Sequence, residues 1–595
     1  MQRDGPARDA GPRRLSSGAP AADISSMPMR ARWASRPALF ISTAIACPRF
    51  GVVAPPSPAV VLKDSLAVAL KDSLTVALKD SLAVAESLYV DVRTLKDRLD
   101  IARLRGLADS AATVRPRYLA MRAELARALA IDSSSLGDTL DRRALRTMRG
   151  TLIHELTEAP EPSGGTVPAD SARCAYDPRA IPDTDSLEAR LYACYGAAAQ
   201  HVVVDGEGLD RLTVLGLLGR TGDPARRRRL FLGLDRVWRS VNGNDDSGSP
   251  YRELLRRRAR QWGSGPTPFA RRVQELGFVP DTVERWLERL LGAWRATLPD
   301  SGVEPWDLYY GMGAASRRLS PRIPRDSLRA LSERFYRALG ADPIALGVHY
   351  DLAPREGKDP VAFTTFGARP GFRNGAWRMG EPWVFASYAV GGFDNLQELL
   401  HETGHGIHIA GIRTRPAFSD WPDADLFTEA IADLADYEAA EGRWQWHYLG
   451  DSATFAENQR AEYFGVAMDA CWALFEARMQ RDPSLDPNAV WVALTSRYLR
   501  VVPHPELSWW AMRGQLIDVP GYLVNYALGA FIAADLRGRI KALHGDFTLG
   551  DTTWYGFVRD RIYRFGLERS SLRVMEDFLG RPLSADALLT ELGRR

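Results

Sequence analysis

His401 and His405 stand four residues apart in the stretch FDNLQELLHETGHGIHIAG, with Glu402 directly after the first. On a helix this spacing puts both imidazoles on one face, one turn apart, where both reach a single tetrahedral zinc. Glu402 then stays near the metal without having to bind it. With nine histidines in the chain, the HExxH pattern has a chance of arising at random of roughly one in a hundred. A hydrolytic zinc site needs a third protein ligand and a fourth position for water. The HExxHxxGxxH pattern would supply a histidine at 411, where this chain has Gly411. Further on, in DADLFTEAIADLADYEAA, Glu429 lies between Phe427 and Ile431 on an otherwise apolar helical segment. A carboxylate buried there is costly unless a positive group pairs with it, which predicts Glu429 as the third ligand. Asp433 follows at i+4 on the same face and is expected to hydrogen-bond the free ring nitrogen of a ligating histidine. His408, three residues after His405, faces roughly the same way and is expected at the substrate, behind the ligands, or as a packed structural histidine.

These side chains require two facing helices. The first is predicted to begin at Asp394, with Gln397 completing a capping box, and to end at Gly411. Leu396, Leu399, Leu400 and Ile407 would cover its buried side. The segment EPWVFASYAV, residues 381 to 390, is short and rich in Val, Phe and Tyr, and it ends at two glycines. It reads as a strand beside the metal helix. As an edge strand it could pair an extended peptide through its backbone, with Ala386 and Ser387 as substrate-binding positions. Elsewhere, from about residue 90, apolar residues recur at three and four, so the fold class is mostly α with a small β element.

Composition sets the remaining bounds. The 595 residues are 45% hydrophobic and 25% charged, enough for a large globular core. A net charge of +3 gives no reason to expect a nucleic-acid partner. The runs Arg226 to Arg229 and Arg256 to Arg260 read as solvated helix faces rather than anion sites. Four cysteines without a CxxC pair exclude a cysteine-based zinc site. From Met29 the chain runs through a basic stretch and a short apolar stretch to Cys47, the order of a secretory signal with a possible lipid anchor at Cys47. Export would leave Cys174 and Cys194 to form a disulfide and Cys471 as a buried thiol. Residues 62 to 85 repeat the octad LKDSL(A/T)VA three times. The expected organisation is therefore a disordered N-terminus with an export signal over 1–60, a partly helical linker over 61–90, and a helical body over 91–595. No later stretch is long and apolar enough to span a bilayer.

HETGHGIH followed by TEAIAD resembles the gluzincin peptidases of the thimet oligopeptidase and neurolysin type, and TEAIAD is also similar to a segment of angiotensin-converting enzyme. PGYLVNYALGAFIAADL, residues 520 to 536, resembles the Taq-type carboxypeptidases, and PWDLYY and DLAPREGKDPVAF resemble oligopeptidase segments before the zinc helix. The resemblance implies a mostly α, two-lobed body around a deep channel, one zinc per chain, and small peptides as substrates. It carries over His401, His405 and Glu429 as ligands and Glu402 as general base. Tyr522 and Tyr526 match tyrosines of which one donates a hydrogen bond to the developing oxyanion. Where these families place a histidine shortly before those tyrosines, this chain has Arg513 and Gln515, with His504 farther back. Oligoendopeptidase, dipeptidyl carboxypeptidase and carboxypeptidase activities all stay open. An inactive, zinc-stabilised peptide-binding protein is the rival from another class, and the intact Glu402 argues against it.

Overall fold

The computed structural model describes residues 58–157, 174–355, 358, 361–373 and 376–593. The expected signal segment and Cys47 lie outside them. Most of the described chain is helix, with one three-stranded sheet and two small two-stranded ones.

The octads do not stand apart as a linker in backbone terms: one helix, Pro58–Leu104, runs through them and on without a break. Leu82, Ala85, Tyr89, Val92, Leu95 and Leu99, spaced by three and four, are buried. They pack on the next helix, Ala108–Ala128, and on Ala417 and Phe418. A buried ion network ties this helix to the rest. Arg369 bonds Asp97 at 2.7 Å and also pairs with Asp420, while Arg93 joins Asp420 at 3.0 Å and Glu155 at 2.6 Å. Removing one member would strand a buried charge, so the network fixes the seat of the helix more than it adds net stability.

The three-stranded sheet has the order His349–Asp351, Glu381–Phe385, Phe363–Ala368, with the first pair parallel and the second antiparallel. The strand expected over 381 to 390 is thus shorter and is the central strand, not an edge. Just beyond it, the Ala386 N–H donates to the Asp351 carbonyl at 3.0 Å and the Ala386 carbonyl accepts from Lys358. Its backbone is occupied, so Ala386 cannot pair with a peptide in the expected way. Ser387 follows it, outside the ladder. Phe363–Ala368 and His349–Asp351 hold the two edges instead.

The metal-motif helix spans Phe393–Gly411, as its spacing predicts. Its start differs from expectation. Gly392, at φ 115°, is the N-cap, Asp394 lies inside the first turn, and Ser320 Oγ accepts from the Phe393 N–H at 3.1 Å. Gln397 donates to Glu462 at 3.0 Å rather than closing a capping box. A left-handed cap suits glycine, and it lets the chain leave the sheet where Gly391 presses on Ile323. The second helix, Asp425–Asp436, crosses the first at Gly404, where a Cβ would lie 2.5 Å from the Ala432 carbonyl oxygen. Gly404→Ala is therefore expected to force the two helices apart, at about 1–3 kcal/mol of stability. Metal titration and thermal unfolding would both register the change.

Most arginines of the two runs face solvent as expected, and one in each run is buried. Arg227 is buried against Asp307 at 2.8 Å, and Arg258 joins Glu188 at 2.6 Å. Cys174 and Cys194 are joined as a disulfide and Cys471 is a buried thiol, both as expected. Closing that loop, with its sequence separation of 20, should contribute about 3 kcal/mol. Thermal melts with and without reductant test this, and mass mapping of non-reduced protein tests the pairing.

Candidate functional site

The helix pair brings three donor atoms together. His401 Nε2 and His405 Nε2 are 3.1 Å apart, and Glu429 Oε2 lies 3.3 Å from the first and 3.6 Å from the second. A tetrahedral ion with bonds of about 2.0–2.1 Å holds its ligand atoms about 3.3–3.4 Å apart. The triangle therefore fits one such ion at its centre.

The chemistry of the donors agrees with the geometry. Asp433 Oδ1 accepts from His401 Nδ1 at 2.6 Å, which puts the proton of the neutral ring on Nδ1 and leaves the Nε2 lone pair facing the triangle. Burial alone would lower the His401 pKa, but Asp433, Glu429 and Glu402 outweigh it and raise it well above the usual imidazole value. Burial would likewise raise Glu429, yet His405 and His401 hold it well below the usual carboxylate range. Both shifts express a demand for positive charge at one point. In the metal-free protein the raised His401 pKa stabilises the fold below about pH 6.5, and this contribution is lost as pH rises through the raised value. A cation must displace that proton. Metal binding at pH 7 is thus expected to release about one proton from His401, read as a buffer-dependent heat in titration calorimetry.

Glu429 was expected to be buried, but its side chain is 42% exposed. A second donor group, His401, Asp433 and Asp436, lies behind the first. Within it, Asp433 already bonds the His401 Nδ1 at 2.6 Å.

Glu402 is buried, and its carboxylate Oε2 lies 2.7 Å from the Thr364 hydroxyl of the edge strand. That contact joins the motif helix to Phe363–Ala368 and fixes the carboxylate's orientation. His405 packs edge-on against Trp421, with ring centroids 5.6 Å apart, and among the described residues its buried Nδ1 has no partner. His408 is buried between Trp421 and Tyr563, at 5.4 and 5.1 Å, and burial lowers its pKa to about 3. It is a neutral packing residue.

Tyr522 and Tyr526 form a T-shaped pair with centroids 5.6 Å apart. Burial raises both phenols, and both feel the charge of Glu429, which puts them in the neighbourhood of the donor triangle. Tyr526 is 38% exposed, and its oxygen accepts from Gln515 Nε2 at 3.1 Å, leaving its own proton to donate elsewhere. Arg513 pairs with Asp469 and stacks on Trp472 at 4.5 Å and on Tyr526 at 5.6 Å. Gln515 and Arg513 thus support Tyr526, where a histidine was looked for. His504 is held by Glu506 at 2.7 Å and Glu304 at 2.9 Å, and its ring packs on Trp306.

Thr364, Trp421 and Gly404 escaped the sequence reading. Thr364 sits in FTTFGA, a β-prone run that could have been read as a strand, and Gly404 between two histidines could have signalled a close helix approach. Nothing local marks Trp421.

No protein-family model matches the chain, and no curated protein matches it. Among solved structures it is similar to Pz peptidase A with an inhibitor, at 13% identity and a TM-score of 0.50, covering 87% of this chain and 95% of that one. It is also similar to an M32 carboxypeptidase from Deinococcus radiodurans R1, at 15% identity and a TM-score of 0.51, covering 87% and 98%. The chain shares the helical fold of these two structures over nearly their full length.

Proposed function

We propose that this protein is a zinc-dependent peptidase that hydrolyses peptide bonds in small peptides, with His401, His405 and Glu429 holding the metal and Glu402 as general base. The observation that carries this reading is the triangle of His401 Nε2, His405 Nε2 and Glu429 Oε2, with edges of 3.1 to 3.6 Å. Two similar folds bear the names of a peptidase and a carboxypeptidase, which supports the same class. When bound, zinc supplies a Lewis acid that polarises the scissile carbonyl and brings the pKa of water towards 7. Glu402, oriented by Thr364, takes the proton of the attacking water and delivers it to the leaving nitrogen. Tyr526 or Tyr522 donates its phenolic proton in a hydrogen bond to the carbonyl oxygen as negative charge builds there. Asp433 keeps the His401 ring in the ligating tautomer. An extended peptide is taken to run along the edge strand Phe363–Ala368, which is the geometry of strand addition.

The Cys174–Cys194 disulfide fits an oxidising compartment and so supports export, with Cys47 as a candidate lipid anchor. Hydrolysis of a quenched fluorescent peptide by zinc-loaded protein tests the function. Activity lost to a chelator and restored by zinc is expected, whereas activity indifferent to chelation would rule the reading out.

A further inference from the structure

The sheet edge formed by His349–Asp351 borders an open cavity of about 560 Å³ that the hydrolytic chemistry does not use. Arg105, Arg329, His349, Tyr350, Arg355 and Trp383 stand in its wall, and neither the donor triangle nor Glu402 does. The volume is in the range of small-molecule sites. Three separate segments converge there. Arg105 follows the helix Pro58–Leu104, Arg329 belongs to the helix Leu328–Ala338, and Arg355 comes soon after the edge strand.

The charge of this wall is one-sided. Its only carboxylate among the described residues is Asp351. Lys358, 3% exposed, already neutralises it at 3.0 Å while donating to the Asp351, Ala353 and Ala386 carbonyls. Arg355 reaches the same Asp351 oxygen at 2.8 Å and the Leu104 carbonyl at 2.8 Å. Two cations thus share one carboxylate, and one positive charge is left over. Arg105 supplies a second. Among the described residues it has no carboxylate partner, and its guanidinium carbon lies 5.0 Å from the centre of the Trp383 ring. His349 stacks on the same ring, with centroids 4.6 Å apart. Arg329 and His349 have Glu333 at 2.6 Å and Glu381 at 3.3 Å, so they add donors rather than net charge.

Two charges uncompensated among the described residues call for a dianion, and guanidinium forks match phosphate oxygens in pairs. A carboxylate would leave one charge unmet, whereas a phosphomonoester carries about −1.5 to −2 at pH 7. We propose that this cavity binds a dianionic phosphate group, as the free ion or as the end of a small soluble phosphomonoester. The site does not depend on the peptidase reading.

Zinc-loaded protein is titrated calorimetrically with inorganic phosphate and with phenyl phosphate at low salt. A Kd of about 1 mM or tighter is expected for at least one of them, weakening as salt rises. Tighter binding of inorganic phosphate supports the free ion as ligand, and tighter binding of phenyl phosphate supports an ester that also uses the aromatic wall. Arg105→Gln and Arg355→Gln should each weaken binding roughly 10- to 100-fold, the range for hydrogen bonds to a charged group. Arg289→Gln, an exposed arginine outside the cavity, should leave it unchanged. No binding of either compound, or binding that survives both cavity substitutions as phosphate held at the metal would, overturns the proposal. Binding only to vesicles of phosphatidic acid overturns it as well, because the ligand would then be a membrane surface. Should Arg355→Gln fail to fold for want of its Leu104 contact, Arg105→Gln decides, since among the described residues that side chain makes no hydrogen bond.

Discussion

Replacing Glu402 by Gln is expected to leave the metal in place and to lower turnover roughly 10²- to 10⁴-fold, the usual worth of a positioned general base. The amide keeps the shape of the carboxylate and can still meet the Thr364 hydroxyl, 2.7 Å away in the native protein. It cannot accept the proton of the attacking water. The loss should fall on kcat, with KM and zinc content nearly unchanged, and metal analysis beside steady-state kinetics reads all three. Near-normal turnover with zinc bound would remove Glu402 from the base role. Loss of zinc along with activity would make Glu402 a ligand instead.

Glu429→Ala is expected to act at the earlier step. It removes one corner of the triangle, whose other two atoms are 3.1 Å apart, and it takes away the negative charge that balances the cation. The fall in zinc affinity should exceed the roughly 10- to 100-fold that losing an outer hydrogen-bond partner such as Asp433 costs. Comparing Glu429→Ala with Asp433→Ala by competition with a chromophoric chelator therefore gives an ordered result. Apolar packing around Glu429 should survive, since the side chain is already partly exposed, so circular dichroism should change little. If the two variants lose affinity equally, Glu429 has no special claim to the metal.

Helical spacing made the motif helix and its partner legible, because the periodicity that buries Leu396, Leu399, Leu400 and Ile407 also puts His401 and His405 on the opposite side. The contact between Asp433 and His401 followed from i+4 geometry within one helix and one ligand's need for an orienting partner. The sheet was harder to read. EPWVFASYAV has the composition of a strand at a site, but composition cannot say which neighbours a strand pairs with. The parallel partner His349–Asp351 and the antiparallel partner Phe363–Ala368 come from elsewhere in the chain, and between them they turned the expected edge into the centre. Capping failed for a related reason. Asp394 and Gln397 had the right spacing, yet Ser320, far away in sequence, supplies the acceptor at the helix start. Tyr522 and Tyr526 were legible only through resemblance, since an apolar helix with two tyrosines is ordinary packing on periodicity alone. Gln515 was legible only as the residue standing where the resembling families have a histidine, and its bond to the Tyr526 oxygen is a contact the structure adds.

Diffraction data collected at the zinc absorption edge, from crystals grown with stoichiometric zinc, locate the metal. One anomalous peak per chain is expected, about 2.0–2.2 Å from His401 Nε2, His405 Nε2 and Glu429 Oε2. A peak on the other side of His401, between its Nδ1 and the Asp433 and Asp436 carboxylates, or no peak at either place, would contradict that ligand set.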